Sequence, residues 1–297
     1  MRGGRFTFGR RLVPGIPFLW LVLLFAVPFL IVLKISFSEV RLAIPPYSPL
    51  FDGHGGLAVH LHLSNYAFLF TDPLYVRSCL YSLQVAAIST LICLLVGYPM
   101  AYAIARSGAT ARNVLLMLIV LPFWTSFLLR VYAWIGLLKS NGVINNILMS
   151  LGLIHQPLVL LQTDFALYIG IVYSYLPFMI LPLYSNLEKH DPTLLEAAAD
   201  LGAHPFAAFR RITLPLSLPG IAAGCLLVFI PAVGEYVIPS LLGRTDQLMI
   251  GRVLSDEFFE NRDWPVASAV AILILVLLVV PIVLLQRVGR RELGAQR

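Results

Sequence analysis

Six long apolar runs constrain the fold of this chain more than any other feature. They cover residues 12–33, 78–105, 113–138, 165–187, 217–240 and 265–285, and only Arg130 and Glu235 place a charge inside them. About 20 apolar residues cross a bilayer core, and a lipid-exposed backbone must satisfy its own hydrogen bonds, which favours helices. Charged residues make up 12% of the chain, against about 25% in soluble domains. The sequence therefore predicts an all-α, polytopic membrane protein with six transmembrane helices.

The predicted boundaries follow from these runs. We expect an N-terminal segment at 1–11, a first transmembrane helix at 12–36, a loop at 37–76, a five-helix core at 77–286 and a tail at 287–297. The first run is longer than the apolar region of a signal peptide, and no small-x-small cleavage site follows it, so we interpret it as a true span.

Lysine and arginine predict the orientation of the chain. With the N-terminus in the cytoplasm, 13 of the 21 basic residues fall on the inner side and the other eight lie in outer segments or spans. That excess predicts that both termini are cytoplasmic. The net charge of +6 is then a consequence of topology, and no basic soluble face is available for nucleic acid.

The segments between the runs offer few chemical sites. The three cysteines lie in or beside spans without metal-like spacing, and the six histidines lie in loops, so we predict no metal site. The last outer loop, 241–264, carries an acidic and aromatic cluster, VLSDEFFENRDW. This cluster is either a solvated cap or a docking surface for an extracytoplasmic partner.

One interruption between the runs, here named the polar element (191–215), is too polar for the bilayer. Asp191-Pro192 predicts a helix start, and Thr193 with Glu196 fits a capping box that overlaps it. Gly202 suits a left-handed helix stop, and Pro205 suits the first turn of a second short helix.

That second helix places Phe206 and Phe209 three residues apart, which predicts that they share one face. Arg210 and Arg211 follow at the predicted membrane edge. The polar element is therefore either an ordinary hairpin between spans or a plug that fits a groove on a soluble partner.

The polar element also carries a family signature. Its spacing resembles the EAA motif of bacterial ABC importer permeases at Glu196, Ala197, Ala198, Gly202, Ile212, Leu214 and Pro215. In that family the motif is a coupling helix that docks onto the ATP-hydrolysing subunit. The resemblance also places these residues in the coupling surface: Asp200, Ala203, Pro205, Phe206, Phe209 and Arg210.

Flanking stretches extend the resemblance over nearly the whole chain. Residues 82–105, 121–146, 168–184, 229–243 and 250–272 are similar to the polyamine-transport branch, especially to the first permease subunit of putrescine importers. Arg244 departs from that pattern, because a second glycine often stands there in the branch.

The resemblance implies a type I ABC importer permease fold in a bacterial inner membrane. It implies ATP-driven uptake of putrescine, or else of spermidine or an amino acid. The expected partners are two ATPase subunits, a second and different permease subunit, an extracytoplasmic binding protein and the surrounding lipid. The chain has no phosphate-binding loop motif, so ATP and Mg²⁺ are expected on the ATPase, with no cofactor and no enzyme activity here. A secondary carrier or a membrane enzyme is the competing class.

Glu235 leads the predicted substrate pathway. Acidic residues inside spans usually face a cavity or a partner, and Pro231 and Gly234 predict a bent helix that acts as a gate or hinge beside it. A carboxylate suits an amine cation, and Tyr236, Trp124, Trp134 and Tyr132 are the aromatic candidates for the same path.

Two features of these spans keep a second interpretation. Glu235 either faces the pathway, lies at the outer interface or pairs with Arg130, while Arg130 is expected to pair with an acid or to extend to the outer surface. Gly220 and Gly224, four residues apart, allow close helix contact, either within the chain or with a second permease subunit.

Overall fold

The fold consists of helices joined by loops in the part of the chain that a computed structural model describes, residues 6–48 and 62–295. Parts of three predicted segments lie outside the described residues: the N-terminal 1–5, the loop section 49–61 and the C-terminal 296–297. Within the described ranges the extended pairing is limited to one isolated bridge between Val40 and Tyr47. The all-α prediction is confirmed.

The helices are numbered here in chain order. They are α1 Phe6–Leu21, α2 Val27–Ser36, α3 Ser64–Thr71, α4 Pro73–Arg106, α5 Ala109–Val120, α6 Phe127–Leu138, α7 Val143–Ser150, α8 Asp164–Leu187, α9 Thr193–Asp200, α10 Pro205–Ala208, α11 Leu214–Val233, α12 Val237–Leu242, α13 Ile250–Phe259 and α14 Trp264–Ala295. A π-helical turn at Val22–Ala26 joins α1 to α2, and another at Phe209–Thr213 joins α10 to α11. A 3₁₀ turn at Leu121–Trp124 follows α5.

Length and apolar composition identify the membrane-crossing segments. Four continuous stretches qualify, Pro14–Ser36, Pro73–Arg106, Asp164–Leu187 and Pro205–Val233. A fifth is the pair Ala109–Trp124 and Phe127–Ser150, bent by 91°. Helix α14 runs for 32 residues and begins with an apolar section, Trp264–Val279. These segments lie at the six predicted spans: four are long and apolar enough to cross alone, a fifth is so only as a bent pair, and the described apolar section of α14 is shorter.

The third predicted run is not one continuous helix, which corrects the expectation for 113–138. Thr125 and Ser126 adopt extended backbone, with ψ of 153° and 139°, and the chain bends there. Pro122 has no amide hydrogen for a regular helical bond. The Thr125 hydroxyl donates to the Pro122 carbonyl at 2.8 Å. Such a local side-chain bond competes with the helical pattern, and this competition was not apparent from hydropathy.

The chain divides into two compact units, one of residues 1–76 with 254–297 and one of residues 77–253. The predicted domain boundaries, with a core at 77–286, remain a prediction. In the first unit α14 packs against α2 and α3. The acidic and aromatic cluster forms internal contacts there: Tyr75 donates to Glu257 at 2.8 Å, Asp263 accepts from the Val266 amide, and Phe258 stacks on Trp264.

Helix α8 lies at the centre of the second unit and approaches its neighbours at glycines. A Cβ atom at Gly224 of α11 would lie 2.7 Å from the Met179 sulfur, and one at Gly220 would lie 2.7 Å from the Asn186 Cβ. Gly170 of α8 meets α12 in the same way, 2.7 Å from a Leu242 methyl group. The glycine pair of α11 therefore packs within the chain, against α8.

We predict that Gly224→Ala destabilises the permease fold by about 1–3 kcal/mol, since the new methyl group overpacks the α8–α11 contact. The thermal midpoint of the purified protein should fall by several degrees. Gly136→Ala in α6 is the matched control, because a Cβ there meets nothing within 4 Å, and it should leave the midpoint unchanged or raise it. Equal midpoints for the two variants would contradict this account of α8 packing.

Candidate functional site

The polar element begins with a side-chain cap. The Asp191 carboxylate accepts the Thr193 amide at 3.0 Å, and this backbone hydrogen bond lowers the pKa of Asp191. The predicted capping box between Thr193 and Glu196 is wrong, because Asp191 already takes the amide that Glu196 was expected to reach. Asp191 precedes Pro192 and therefore satisfies the first free amide of α9.

A glycine-dependent turn ends α9. Gly202 adopts φ +76°, the left-handed conformation expected from the sequence. Its amide donates to the Ala199 carbonyl and the Ala203 amide donates to the Ala198 carbonyl, each at 2.9 Å. This pair of bonds is a Schellman motif. The turn therefore satisfies the carbonyls at the end of α9 and gives the polar element one defined shape.

The second helix of the polar element continues into the next span. His204 Nδ1 accepts the Phe206 amide at 3.3 Å at the start of α10. The π-helical turn then carries the chain without interruption from Pro205 to Val233. Pro215 has no amide to offer the preceding turn, which agrees with a widened turn at that point. The expectation of a separate second short helix is corrected accordingly.

The two phenylalanines of the polar element lie in different environments, which corrects the expectation of a shared face. Phe206 is 67% exposed, whereas Phe209 packs edge-on against Tyr98 and Tyr102 of α4, at ring distances of 5.8 and 6.3 Å. Leu201 is 88% exposed. The sequence analysis did not single out Leu201, although an apolar residue immediately before a helix-ending glycine indicates such an exposed position.

The remaining signature residues divide between surface and interior. Exposed positions are Glu196, Ala197, Asp200, Gly202, Pro205, Arg210, Arg211 and Pro215, and buried or partly buried positions are Ala198, Ala203, Ile212 and Leu214. Exposed apolar side chains on a capped, rigid scaffold are typical of a docking surface.

The second candidate region is the break between α11 and α12, residues 234–236. Helix α11 ends at Val233, two residues after Pro231, which has no amide for a helical hydrogen bond. The Glu235 side chain is buried, with 8% of the residue exposed. Its Oε1 accepts the backbone amides of Tyr236, Val237 and Ile238 at 3.1, 3.0 and 3.4 Å. Glu235 therefore caps α12.

The other Glu235 oxygen accepts the hydroxyl of Tyr175 in α8. The alternative in which Glu235 pairs with Arg130 is therefore corrected, since Tyr175 and the α12 amides are the partners of its carboxylate. Tyr175 was missed by the sequence reading, because it lies 60 positions away and no local pattern links the two residues.

Close backbone packing supports this break. A Cβ atom at Gly251 of α13 would lie 2.5 Å from the Gly234 carbonyl oxygen, so only glycine permits the approach. The Ile250 amide, also in α13, donates to the Ser82 hydroxyl of α4 at 2.8 Å. The break is thus enclosed by α8, α12 and the start of α13.

Arg130 has aromatic neighbours in place of the expected acid. Its guanidinium lies over the rings of Phe123 and Phe127, at 5.3 and 5.7 Å. Its Nε and Nη1 atoms are buried and have no hydrogen-bond partner among the described residues. Cation–π contact is the stabilising interaction seen there.

Three of the four aromatic pathway candidates are exposed, and the fourth packs on another ring. Trp124 is 77% exposed, Tyr132 and Tyr236 are also exposed, and Trp134 packs edge-on against Tyr173 at 5.5 Å. Within the described chain, the hydrogen bonds of the Glu235 carboxylate go to Tyr175 and to backbone amides.

Residues 93–292 match the family of binding-protein-dependent transport system inner membrane components. The chain belongs to this family. It is therefore a multi-pass inner-membrane permease subunit rather than an enzyme, and it holds no cofactor of its own.

Similar proteins and structures agree with this membership. The spermidine/putrescine transport system permease protein PotB of Haemophilus influenzae is 42% identical over 281 residues, 95% of this chain and 94% of that protein. PotB of Salmonella typhimurium strain SL1344 is 40% identical over 271 residues, 91% and 90% of the two chains. A bacterial alginate ABC transporter, solved in complex with an alginate-bound periplasmic protein, has the same fold at 18% identity, with a TM-score of 0.73 and coverage of 97% and 95%.

We predict that Gly202→Ala loosens the end of α9 in the permease, because a Cβ atom in the left-handed conformation costs about 1–2 kcal/mol. No side chain crowds this glycine, so the cost is conformational. Amide hydrogen exchange at residues 202 and 203 should become faster by roughly tenfold. Gly202→Asn is the control, since asparagine tolerates this conformation. Equal exchange rates in both variants would contradict a conformational role for Gly202.

Proposed function

We propose that this permease is a subunit of an ATP-driven importer for polyamines, with putrescine as the preferred solute and spermidine as the alternative. The observation that carries this proposal is the 42% identity to a spermidine/putrescine permease over 95% of the chain. An amino acid importer is the remaining candidate, and direct uptake separates it from the other two.

The polar element is proposed as the site where the ATPase docks, with both chain termini on the same cytoplasmic side. Leu201 and Phe206 offer exposed apolar side chains, and Glu196 lies on the exposed surface of α9. The Schellman turn at Gly202 keeps these groups at fixed separations, so a partner meets a preformed surface. Each of two ATPase subunits would engage one such element, one from this chain and one from a second, different permease subunit.

Transport would follow alternating access. Closure of the ATPase pair moves the polar element, and that movement passes into α8 and α11, which leave the element on either side. A solute delivered by an extracytoplasmic binding protein then meets a cavity that changes from inward to outward access. Differential contacts in the two states supply the free energy for this change.

The α11–α12 break is proposed as part of the solute pathway. Glu235 supplies a buried carboxylate that suits an ammonium group, with Pro231 and Gly234 as hinge positions. Tyr236, Trp124, Trp134 and Tyr132 remain candidates for aromatic contacts with a cation further along the path. Broken helices of this kind often surround solute sites in transporters.

Docking predicts that Phe206→Asp weakens the association with the ATPase by more than about tenfold, since it places a charge in an apolar contact. Glu196→Lys and Gly202→Asp should also weaken the association with the ATPase. The measurement is the amount of ATPase that co-purifies with the tagged permease. Leu153→Asp is the control, because Leu153 is exposed to a similar extent, 68%, in the loop after α7. Undiminished association of the Phe206, Glu196 and Gly202 variants would refute the docking assignment.

The solute assignment predicts that the importer in liposomes accumulates labelled putrescine. Excess unlabelled putrescine should suppress this uptake more than excess spermidine does. Glu235→Gln should lower the uptake rate by about tenfold or more, because the carboxylate charge is lost, while ATPase association persists. Uptake of an amino acid without polyamine uptake would reject the polyamine assignment, and unchanged kinetics in Glu235→Gln would remove Glu235 from the pathway.

A further inference from the structure

Both oxygens of the Glu235 carboxylate accept hydrogen bonds from the protein. One oxygen accepts three backbone amides at the start of α12, and the other accepts the Tyr175 hydroxyl. Little of the residue, 8%, is exposed. An ammonium group that reaches this buried carboxylate therefore competes with these donors. The backbone amides belong to a helix that would lose its cap, so the Tyr175 hydroxyl is the donor that can be exchanged.

Packing keeps the Tyr175 ring in place. Tyr175 lies against the buried cluster that includes Met179 and Ile180. Its ring contacts Phe178 at 6.1 Å, and Phe178 packs edge-on against Phe123 at 5.3 Å. Phe123 in turn lies under the Arg130 guanidinium. This aromatic chain connects the bend between α5 and α6 with the α11–α12 break, so the hydroxyl is presented to Glu235 by a supported ring.

The start of α12 depends on this arrangement. Helix α12 has only six residues, too few to be stable by its own hydrogen bonds. Its first amides rely on Glu235, and Glu235 relies on Tyr175 for its second oxygen. Loss of either contact therefore loosens the section that packs against Gly251 of α13.

We propose that Tyr175 is a positioning residue that holds Glu235 on the α12 amides and yields its place to the cationic group of the solute during transport. The identity of that cation rests on the proposed function. The Tyr175 hydroxyl carries no charge, whereas a protonated amine adds the Coulombic attraction of an ion pair to its hydrogen bond, and this attraction is strong in a buried site. A protonated amine therefore displaces the phenol hydroxyl from the carboxylate, whereas a neutral group does not. Tyr175 sets the threshold for entry and competes for Glu235 again when the solute leaves.

The first test measures hydrogen exchange at amides 236–238 in the assembled importer without solute. Tyr175→Phe should accelerate their exchange by about tenfold, because the Glu235 carboxylate loses a charge-assisted bond. Tyr173→Phe is the matched control on the same helix, since the Tyr173 ring packs on Trp134 and its hydroxyl has no hydrogen bond to a described residue. It should leave the exchange unchanged.

A double variant separates positioning from general loss of structure. In the Glu235→Gln background, Tyr175→Phe should add no further acceleration, because its effect passes through the carboxylate charge. Equal exchange in Tyr175→Phe and Tyr173→Phe would overturn the proposal. So would a Tyr175→Phe effect that is undiminished when Glu235 is already glutamine.

The second test measures putrescine uptake by the importer in liposomes with saturating binding protein. Tyr175→Phe should lower the maximal rate per complex by about tenfold, because no hydroxyl competes with the retained cation for Glu235. The half-saturating solute concentration should stay unchanged, since the binding protein captures the solute. If the importer takes up neither putrescine nor spermidine, the proposed solute is refuted. The hydrogen-exchange measurement then still tests the positioning role of Tyr175. If wild type and Tyr175→Phe take up polyamine equally well, the inference about Tyr175 is refuted and the proposed function stands.

Discussion

The close contact between α8 and α11 is the interaction on which the rest of the second unit depends. Glycines at 220 and 224 let the backbone of α11 approach Asn186 and Met179, and Gly170 lets α12 approach the other end of α8. Lipid supplies no hydrophobic force between helices, so small residues that permit close packing take over that role. Both candidate regions, the polar element and the α11–α12 break, are attached to this helix pair.

The helix pair connects the two candidate regions. The polar element joins the end of α8 to the start of α11, and the bond between Tyr175 and Glu235 links the same two helices near the α11–α12 break. A rigid connection of this kind transmits a displacement, since packed helices shift as units rather than deform continuously. This geometry is thus suited to transmitting a displacement of the polar element to the buried Glu235 carboxylate.

The agreement between sequence and structure is best where the controlling interactions are local. The helix start at Asp191 and the left-handed Gly202 both depend on residues within a few positions of one another, so their sequence signals were sufficient. The failures have different causes. The Thr193 box lost to a local competitor, the Asp191 cap two residues earlier, whereas Phe209 packs against α4 because Tyr98 and Tyr102 lie there. Only the second outcome depends on residues far away in the chain.

The sequence by itself determined the membrane environment, the helical class and the family, because hydropathy over about 20 residues and a spaced motif are one-dimensional properties. Tertiary structure alone decided the hydrogen-bond partners of Glu235. An acidic residue in an apolar run needs a partner, but the chain offered Arg130, water or solute as equal candidates. Folding instead brought Tyr175 to one oxygen and the α12 amides to the other. The physical reason is that buried charge is satisfied by whichever donors the packing of helices delivers, and that packing joins residues far apart in the chain.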